Sequence, residues 1–276
     1  MTTTETTTET TTVTTTGTSA WIDVSAHDFA ASTEFYAGLF GWTFEQMGDE
    51  FNSYNIIRNG DALVGGAMDV TGMTCPLGQP IPAEWSIYLT VDDLDARLRK
   101  AEQHGAVIAM PAERIGESGR MAMVIDPTGA PISMWEPQEL DGYDFTGTPG
   151  SPVWFELMTH QFDQACEFYT AVFDASLVAM SEQMDDESFR YVTNGAGETA
   201  SWGLGDATGV MPEDAAGWRV YLGVEAADAA VETVTELGGR LLDGPVDSPF
   251  GRIATVADPE GATFQICAMS EAVPEG

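Results

Sequence analysis

The sequence predicts an α+β chain in which four βαβββ units form two tandem domains with curved mixed sheets. Three observations carry that prediction. A chain of 276 residues, 43% of them apolar, can bury the core of one large domain or of two ordinary ones. The halves repeat one another: His27 and His160, Phe35 and Phe168, Tyr36 and Tyr169, Trp85 and Trp218, and Tyr88 and Tyr221 all stand 133 residues apart. After one deletion the spacing is 132, for Asp126 and Asp258, Pro127 and Pro259, and Gly129 and Gly261. Matches of such varied type in one order mark an internal repeat, and the period is too long for a solenoid. Finally, each half shows the order strand, helix, three strands, and shows it twice.

The elements follow in turn. "AWIDVSA" alternates apolar and polar residues as a half-buried strand does, and "HDFAASTEFYAGLFGW" places Phe29, Thr33, Tyr36, Ala37 and Phe40 along one helical stripe, with Asp28 at its start. "WTFEQM", "FNSYNIIRNG" and "ALVGGAMDV" read as short strands, Asn59-Gly60-Asp61 being a hairpin signal. A Pro/Gly-rich connector, "TGMTCPLGQPIPAE", leads to the strand "WSIYLTV", the helix "DDLDARLRKAEQHG" and strands around "AVIAMP", "GRMAMVIDP" and "APISMWEP". The second half repeats this through "VWFELMT", "DQACEFYTAVF", "FRYVTNG", "TASWGLGD", "WRVYLGV", "AADAAVETVTELGG", "GRIATVADP" and "ATFQICAM". The expected division is a disordered Thr-rich tail over 1–18, a domain over 19–138, an exposed connector over 139–151 and a second domain over 152–270.

Composition narrows the function. A formal charge of −34, with 44 acidic against 10 basic residues, repels phosphate backbones and anionic headgroups, so neither nucleic acid nor membrane is an expected partner. Cys75, Cys166 and Cys267 form no CxxC pair, so no disulfide framework or zinc knuckle is predicted. With no basic-apolar leader and no bilayer-length apolar run, a cytoplasmic protein is expected. No GxGxxG or GxxxxGK[ST] phosphate loop occurs.

"STEFYAGLFGW" and "ACEFYTAVF", "VDDLDARLRKAEQHGA", and "DPTGAPISMWEP" with "DPEGATFQICA" together resemble the vicinal oxygen chelate superfamily, over about Ser19 to Met269. That superfamily includes glyoxalases, extradiol dioxygenases, fosfomycin-resistance enzymes and bleomycin-resistance proteins. The chain is most similar to two-domain actinobacterial proteins of the hydroxylase or glyoxalase-like type. The resemblance implies a divalent ion held by His, Glu or Gln on the first strand, on the strand after the connector and on the last strand. Counted from "FY", "TVDD" and "GVEA", and from "DPTG" and "DPEG", those positions fall on Trp21 and Trp154, Ser86 and Arg219, and Ser133 and Gln265. Of these only Gln265 is a ligand type, so no metal and no cofactor are expected in either copy.

Strand parity places Trp21, Asp23 and Ser25 on one face, and likewise Trp154, Glu156 and Met158, with Ser86 and Tyr88, Arg219 and Tyr221, Ser133 and Trp135, and Gln265 and Cys267 joining them. Two concave pockets are therefore expected, each combining aromatic walls with a carboxylate and a phenol. Asp23 and Glu156 are the candidate general bases, their pKa values raised by aromatic neighbours, or else carboxylates that tie strand ends to backbone donors or sit at a solvated mouth. Trp21, Tyr88, Trp135, Trp154, Arg219, Tyr221 and Gln265 are the candidate ligand contacts, Arg219 suiting an anionic group. His27 and His160 fall at the start of the first helix of each copy, where capping or packing is expected, and His104 suits a helix C-terminus. Phe35, Phe40, Trp42, Phe168 and Phe173 are expected core.

Three functions fit these residues. The leading expectation is a metal-independent protein that binds an aromatic or polycyclic organic molecule, as bleomycin-resistance relatives sequester theirs. The second is a cofactor-free isomerase, lyase or cyclase using Asp23 or Glu156 as general base. The third is a protein-interaction module with vestigial pockets. A monomer or homodimer is expected, since two fused modules already supply the pairing of single-module relatives.

Overall fold

The computed structural model describes residues 15–48, 51, 54–76, 78–144, 146–180 and 189–271, the side chains of Asp214 and Glu271 excepted. The first half contains β1 (Ser19–Ala26), α1 (Phe29–Phe40), β2 (Thr43–Gln46), β3 (Asn55–Asn59), β4 (Ala62–Asp69), β5 (Trp85–Thr90), α2 (Leu94–Gln103), β6 (Val107–Ile115), β7 (Gly119–Ile125) and β8 (Pro131–Pro137). The second half contains β9 (Pro152–Thr159), α3 (Phe162–Phe173), β10 (Val178–Ala179), β11 (Tyr191–Thr193), β12 (Gly203–Asp206), β13 (Gly217–Gly223), α4 (Ala227–Glu236), β14 (Arg240–Ser248), β15 (Gly251–Ala257) and β16 (Thr263–Ala268). Each half is one eight-stranded mixed sheet, ordered β2-β3-β4-β1-β5-β8-β7-β6 and β10-β11-β12-β9-β13-β16-β15-β14. The two βαβββ units of a half join where β1 pairs antiparallel with β5, and where β9 pairs antiparallel with β13. This is the α+β repeat that the sequence predicts.

Local chemistry sets the element ends. The Asp28 carboxylate accepts from the Ala31 amide and caps α1, and Gly41, at φ 74°, closes it in the left-handed region that glycine enters without strain. Asp93 caps α2 in the same way. Neither His27 nor His160 is an N-cap: those positions belong to Asp28 and Gln161. His104 is the C-cap of α2, as expected, its Nδ1 lying 2.8 Å from the Lys100 carbonyl.

Strand edges depart from the expectation. β6 runs on to Ile115, beyond "AVIAMP", and β14 and β10 were not predicted at all. β14 carries Gly244, Pro245 and two aspartates, which break the period-two signal. It lies at the sheet edge, where a missing amide and shifts of register are tolerated.

The helices bury their apolar stripes in a single core that spans both halves, with Ile22, Phe35, Tyr36 and Leu89 from one and Phe155, Tyr169, Trp202 and Phe264 from the other. The repeated "FY" and "DPxG" motifs meet here, crosswise. Tyr36 donates to Asp258 at 3.1 Å and accepts from Trp85 Nε1, while Tyr169 donates to Asp126 at 2.8 Å and accepts from Trp218 Nε1. The other oxygen of each aspartate accepts backbone amides of its own turn, Thr128 and Ala130 for Asp126, and Glu260, Gly261 and Ala262 for Asp258. Each turn is thus held rigid and tied to the first helix of the opposite half. Burial dominates at Asp258 and pushes its carboxyl above the usual range.

The ends of the predicted tail and connector are docked. Residues 15–18 belong to the folded structure: the Gly17 carbonyl accepts from Trp202 Nε1 at 2.7 Å and from Asn194 Nδ2 at 3.0 Å. The disorder expected of the preceding Thr-rich segment concerns residues outside those described. In the connector, Gly150 repeats the role of Gly17, its carbonyl accepting from Trp42 Nε1 at 2.8 Å. Tyr143 and Asp144 bond to the backbone of Ala20 and Leu63, so the connector, exposed at several residues, is pinned at both ends.

Candidate functional site

β1 sends Ile22 and Val24 into the helix-side core and leaves Trp21 and Asp23 on the opposite face, as strand parity predicts. Register places Trp21 opposite Tyr88, Asp23 opposite Ser86, and Tyr88 beside Ser133. The second sheet repeats the grid, with Trp154 opposite Tyr221, Glu156 opposite Arg219, and Tyr221 beside Gln265. The side chains singled out from the sequence are therefore brought together in two equivalent clusters.

Both clusters are built on a chain of hydrogen bonds. In the first, Trp21 Nε1 donates to Tyr54 Oη at 2.8 Å, and Asp23 accepts from Tyr54 at 3.2 Å and from Tyr88 at 2.7 Å. In the second, Trp154 Nε1 donates to Tyr191 Oη at 3.0 Å, and Glu156 accepts from Tyr221 at 2.9 Å and interacts with Tyr191. Tyr54 and Tyr191 were not among the residues singled out. Their signal was a pair of 137-residue spacings, Tyr54 to Tyr191 and Gly66 to Gly203. Gly66 pairs with Asp23 and Gly203 with Glu156 across the sheet, and a Cβ there would lie 1.7 Å from the Tyr54 oxygen or 2.0 Å from that of Tyr191. The glycines open the floor on which each phenol lies.

Electrostatics follow from burial. Desolvation pushes the Asp23 carboxyl up to about 6 against the pull of its tyrosine and serine donors. Burial also raises Glu156, opposed by the Arg219 guanidinium and the two phenols. Tyr54, Tyr88, Tyr191 and Tyr221 are all held above the ordinary phenol range, so they act as donors at neutral pH.

The clusters differ in access. In the first, Trp21, Tyr88 and Trp135 are only 7%, 6% and 7% exposed and pack against one another with Ile56, Leu63, Ile115, Met121, Leu140 and Tyr143. Trp135 Nε1 donates to the Leu140 carbonyl at 2.9 Å, and Gly119 leaves room for its ring. These three residues were expected to wall an open pocket; they form a packed plug instead, because the connector folds Leu140 and Tyr143 onto that face. In the second, Trp154, Glu156, Tyr191, Arg219 and Tyr221 are half-buried, over a buried Gln265 and Cys267. Arg219 lies 3.5 Å from the Met211 sulfur and 3.3 Å from the Ala215 carbonyl, and its guanidinium also interacts with the Tyr221 phenol and the Glu156 carboxylate. Gln265 Oε1 is buried and, among the described residues, has no hydrogen-bond partner. Burial raises the Cys267 thiol to about 11, which keeps it protonated and poorly nucleophilic.

Three findings place the chain among known proteins. The profile of the Glyoxalase/Bleomycin resistance protein/Dioxygenase superfamily matches residues 18–134 and again residues 151–266. The chain belongs to that superfamily. It is 32% identical over 273 residues to the anthracycline biosynthesis protein DnrV of Streptomyces peucetius, covering 94% of this chain and 95% of that one. It is 33% identical over 270 residues to the anthracycline biosynthesis protein DauV of Streptomyces sp. (strain C5), at the same coverage of both. Its fold is similar to that of a Mn(II)-bound glyoxalase from Novosphingobium aromaticivorans, with a TM-score of 0.61, 13% identity, and 94% of this chain and 84% of that one covered.

Metal-using members of the superfamily raise the question of fit. The three ligand positions carry indole, hydroxyl and hydroxyl groups in one sheet, and indole, guanidinium and amide in the other. A guanidinium repels a divalent ion, and a single amide oxygen beside one carboxylate leaves most of its coordination sphere unfilled. Among the described residues no group of three or more His, Cys, Asp or Glu could hold a metal. The residues present do not fit the ion. Among the described residues, too, no helix is long and apolar enough to cross a membrane.

Proposed function

We propose that this superfamily member binds a polycyclic aromatic metabolite, without a metal, on the open face of its second sheet. The observation that carries the reading is a buried Gln265 oxygen with no partner among the described residues, beside Tyr221 in the sheet and in one cluster with half-buried Trp154 and Arg219. A buried acceptor left unpaired costs about 1–3 kcal/mol, which a ligand hydroxyl recovers by donating to it. Arg219 suits a phenolate or carboxylate on the same ligand, and the indole of Trp154 suits stacking on a flat ring system. The kinship with two anthracycline biosynthesis proteins over nearly the whole chain supports a polycyclic ligand.

The test is titration of a hydroxylated tetracyclic quinone into the purified chain, followed by tryptophan fluorescence corrected for absorbance. Expected are saturation at one ligand per chain, indifference to chelator, and recovery of the ligand with its mass unchanged. Arg219→Ala and Gln265→Leu each weaken binding by about tenfold, the loss of one hydrogen bond to a buried or charged group. Affinity unchanged from wild type in both variants overturns the proposal.

The raised carboxyl of Glu156 favours a second reading, a cofactor-free isomerase, lyase or cyclase. Glu156 takes a proton from a carbon next to a carbonyl, and Tyr221 donates to the oxygen of the developing enolate; Asp23, the other candidate base, lies in the packed first cluster and would need that plug to open. Turnover that survives chelator and is lost in Glu156→Gln or Asp23→Asn supports this reading. Turnover unchanged in both removes these residues from the mechanism.

A further inference from the structure

The two halves meet along two equivalent seams, and only one is filled. Between α2 and α3, Arg97 is 8% exposed, and its guanidinium donates to the Val172 carbonyl at 2.9 Å and to the carboxylates of Asp92 and Asp174. A shift of 133 residues carries this seam onto the one between α1 and α4, where Ala230 stands for Arg97 and Thr233 for Lys100. Along this seam lies a cavity of about 430 Å³, open to solvent, lined by Leu39, Phe40, Gly150, Glu225, Ala230 and Thr233 among others.

The surroundings of the guanidinium persist although the guanidinium does not. Leu39 is the counterpart of Val172, Phe40 of Phe173, Gly150 of Gly17 and Glu225 of Asp92. α1 ends at Phe40, so the carbonyls of its last turn, that of Leu39 included, lie beyond the reach of donors within the helix. Glu225 is exposed and, among the described residues, takes part in no ion pair. The third anchor, Asp174, has Gly41 as its counterpart, so an entering cation meets one carboxylate instead of two. The N-terminus of α4, whose N-cap Ala226 follows Glu225, also borders the cavity, as that of α2 borders Arg97, and its dipole opposes a cation that the Glu225 carboxylate and the Leu39 carbonyl attract.

We propose that this cavity is a binding site for small organic guanidinium compounds, seated where Arg97 sits in the other seam. The planar fork of a guanidinium serves a carbonyl and a carboxylate together, which a compact ammonium does less well. The alkyl chain of the ligand lies along Phe40 and Ala230, as the Arg97 stem lies in its own seam. The site is distinct from the open face around Gln265 and does not depend on what binds there.

Agmatine is the probe, titrated into the full chain at physiological ionic strength and followed by amide chemical shifts. Saturable binding is expected, with the largest shifts at Gly150, Gly223 and Ala226. Glu225→Gln weakens it by about tenfold, the loss of one charge-assisted contact. Ala230→Arg abolishes it, because the new side chain occupies the cavity; 1,4-diaminobutane, of the same charge, binds more weakly than agmatine. The net charge of −34 gathers cations over the whole surface, and a single substitution leaves that effect almost unchanged. Absence of saturation, shifts centred elsewhere, or equal affinity in wild type and Glu225→Gln overturns the proposal. The Glu225→Gln comparison decides even if Ala230→Arg fails to fold, since Glu225 is exposed.

Discussion

Replacing Asp23 by Asn gives a change in stability whose pH dependence can be worked from the structure. Burial lifts this carboxyl from 3.8 to about 6, which favours its protonated form in the folded state by about 3 kcal/mol. Because the folded chain binds the proton more tightly, stability from this group is greatest below the unfolded pKa and declines as pH rises through the folded one. Asn keeps an oxygen for the Tyr88 and Tyr54 donors but does not titrate. The stability of Asp23→Asn relative to wild type therefore rises by about 1.5 kcal/mol between about pH 5 and about pH 8. Urea denaturation of both proteins across that range measures it, and the difference cancels the carboxylates remote from Asp23, leaving Glu84, which the Asp23 charge helps to raise, as the neighbour that shifts with it. A difference that stays flat, or falls with pH, would show that the tyrosine donors outweigh burial and hold Asp23 ionised, refuting the desolvation argument.

Other perturbations test the scaffold and the sites. Tyr169→Phe leaves one oxygen of buried Asp126 without its phenol donor and is expected to lower stability by about 1–3 kcal/mol in urea melts, with Tyr36→Phe close to it at Asp258. Gly203→Ala places a methyl group against the Tyr191 oxygen, so Tyr191 is displaced, the bond from Trp154 is lost, and both ligand affinity and near-ultraviolet circular dichroism change. Arg97→Ala is expected to cost about 1–2 kcal/mol, less than a fully buried ion pair, because Asp92 and Asp174 remain more than half exposed. The same substitution opens a second guanidinium cavity, detectable as a second agmatine site.

The repeat was legible because the residues that make it are those the fold needs: Tyr36 with Asp258 and Tyr169 with Asp126 are the crossed contacts between halves, and Trp85 and Trp218 hold those tyrosines from within their own halves. Helices showed their stripes and caps, and central strands their alternation. β14 escaped because an edge strand carrying Gly244 and Pro245 need not alternate. Asp23, Glu156 and their cross-strand neighbours were legible through parity alone. Tyr54 and Tyr191 were not, since the spacing between halves changes from 133 to 137 before them and only the pairing of Gly66 and Gly203 with the carboxylates shows what they do. Nor could local pattern show that Leu140 and Tyr143 close the first face, because that depends on where the connector folds back. The contrast between Arg97 and Ala230 stood in the aligned halves, but it acquired meaning only once both were seen at equivalent seams.

Elemental analysis of the freshly purified chain, grown with manganese, iron, nickel and zinc in the medium, bears most directly on the reading of the second sheet as an organic-ligand site. Indole, guanidinium and amide groups at the three positions lead to metal well below one ion per chain, with quinone binding undiminished in the same sample. A stoichiometric divalent ion, retained by wild type and lost in Glu156→Gln or Gln265→Leu, would contradict it.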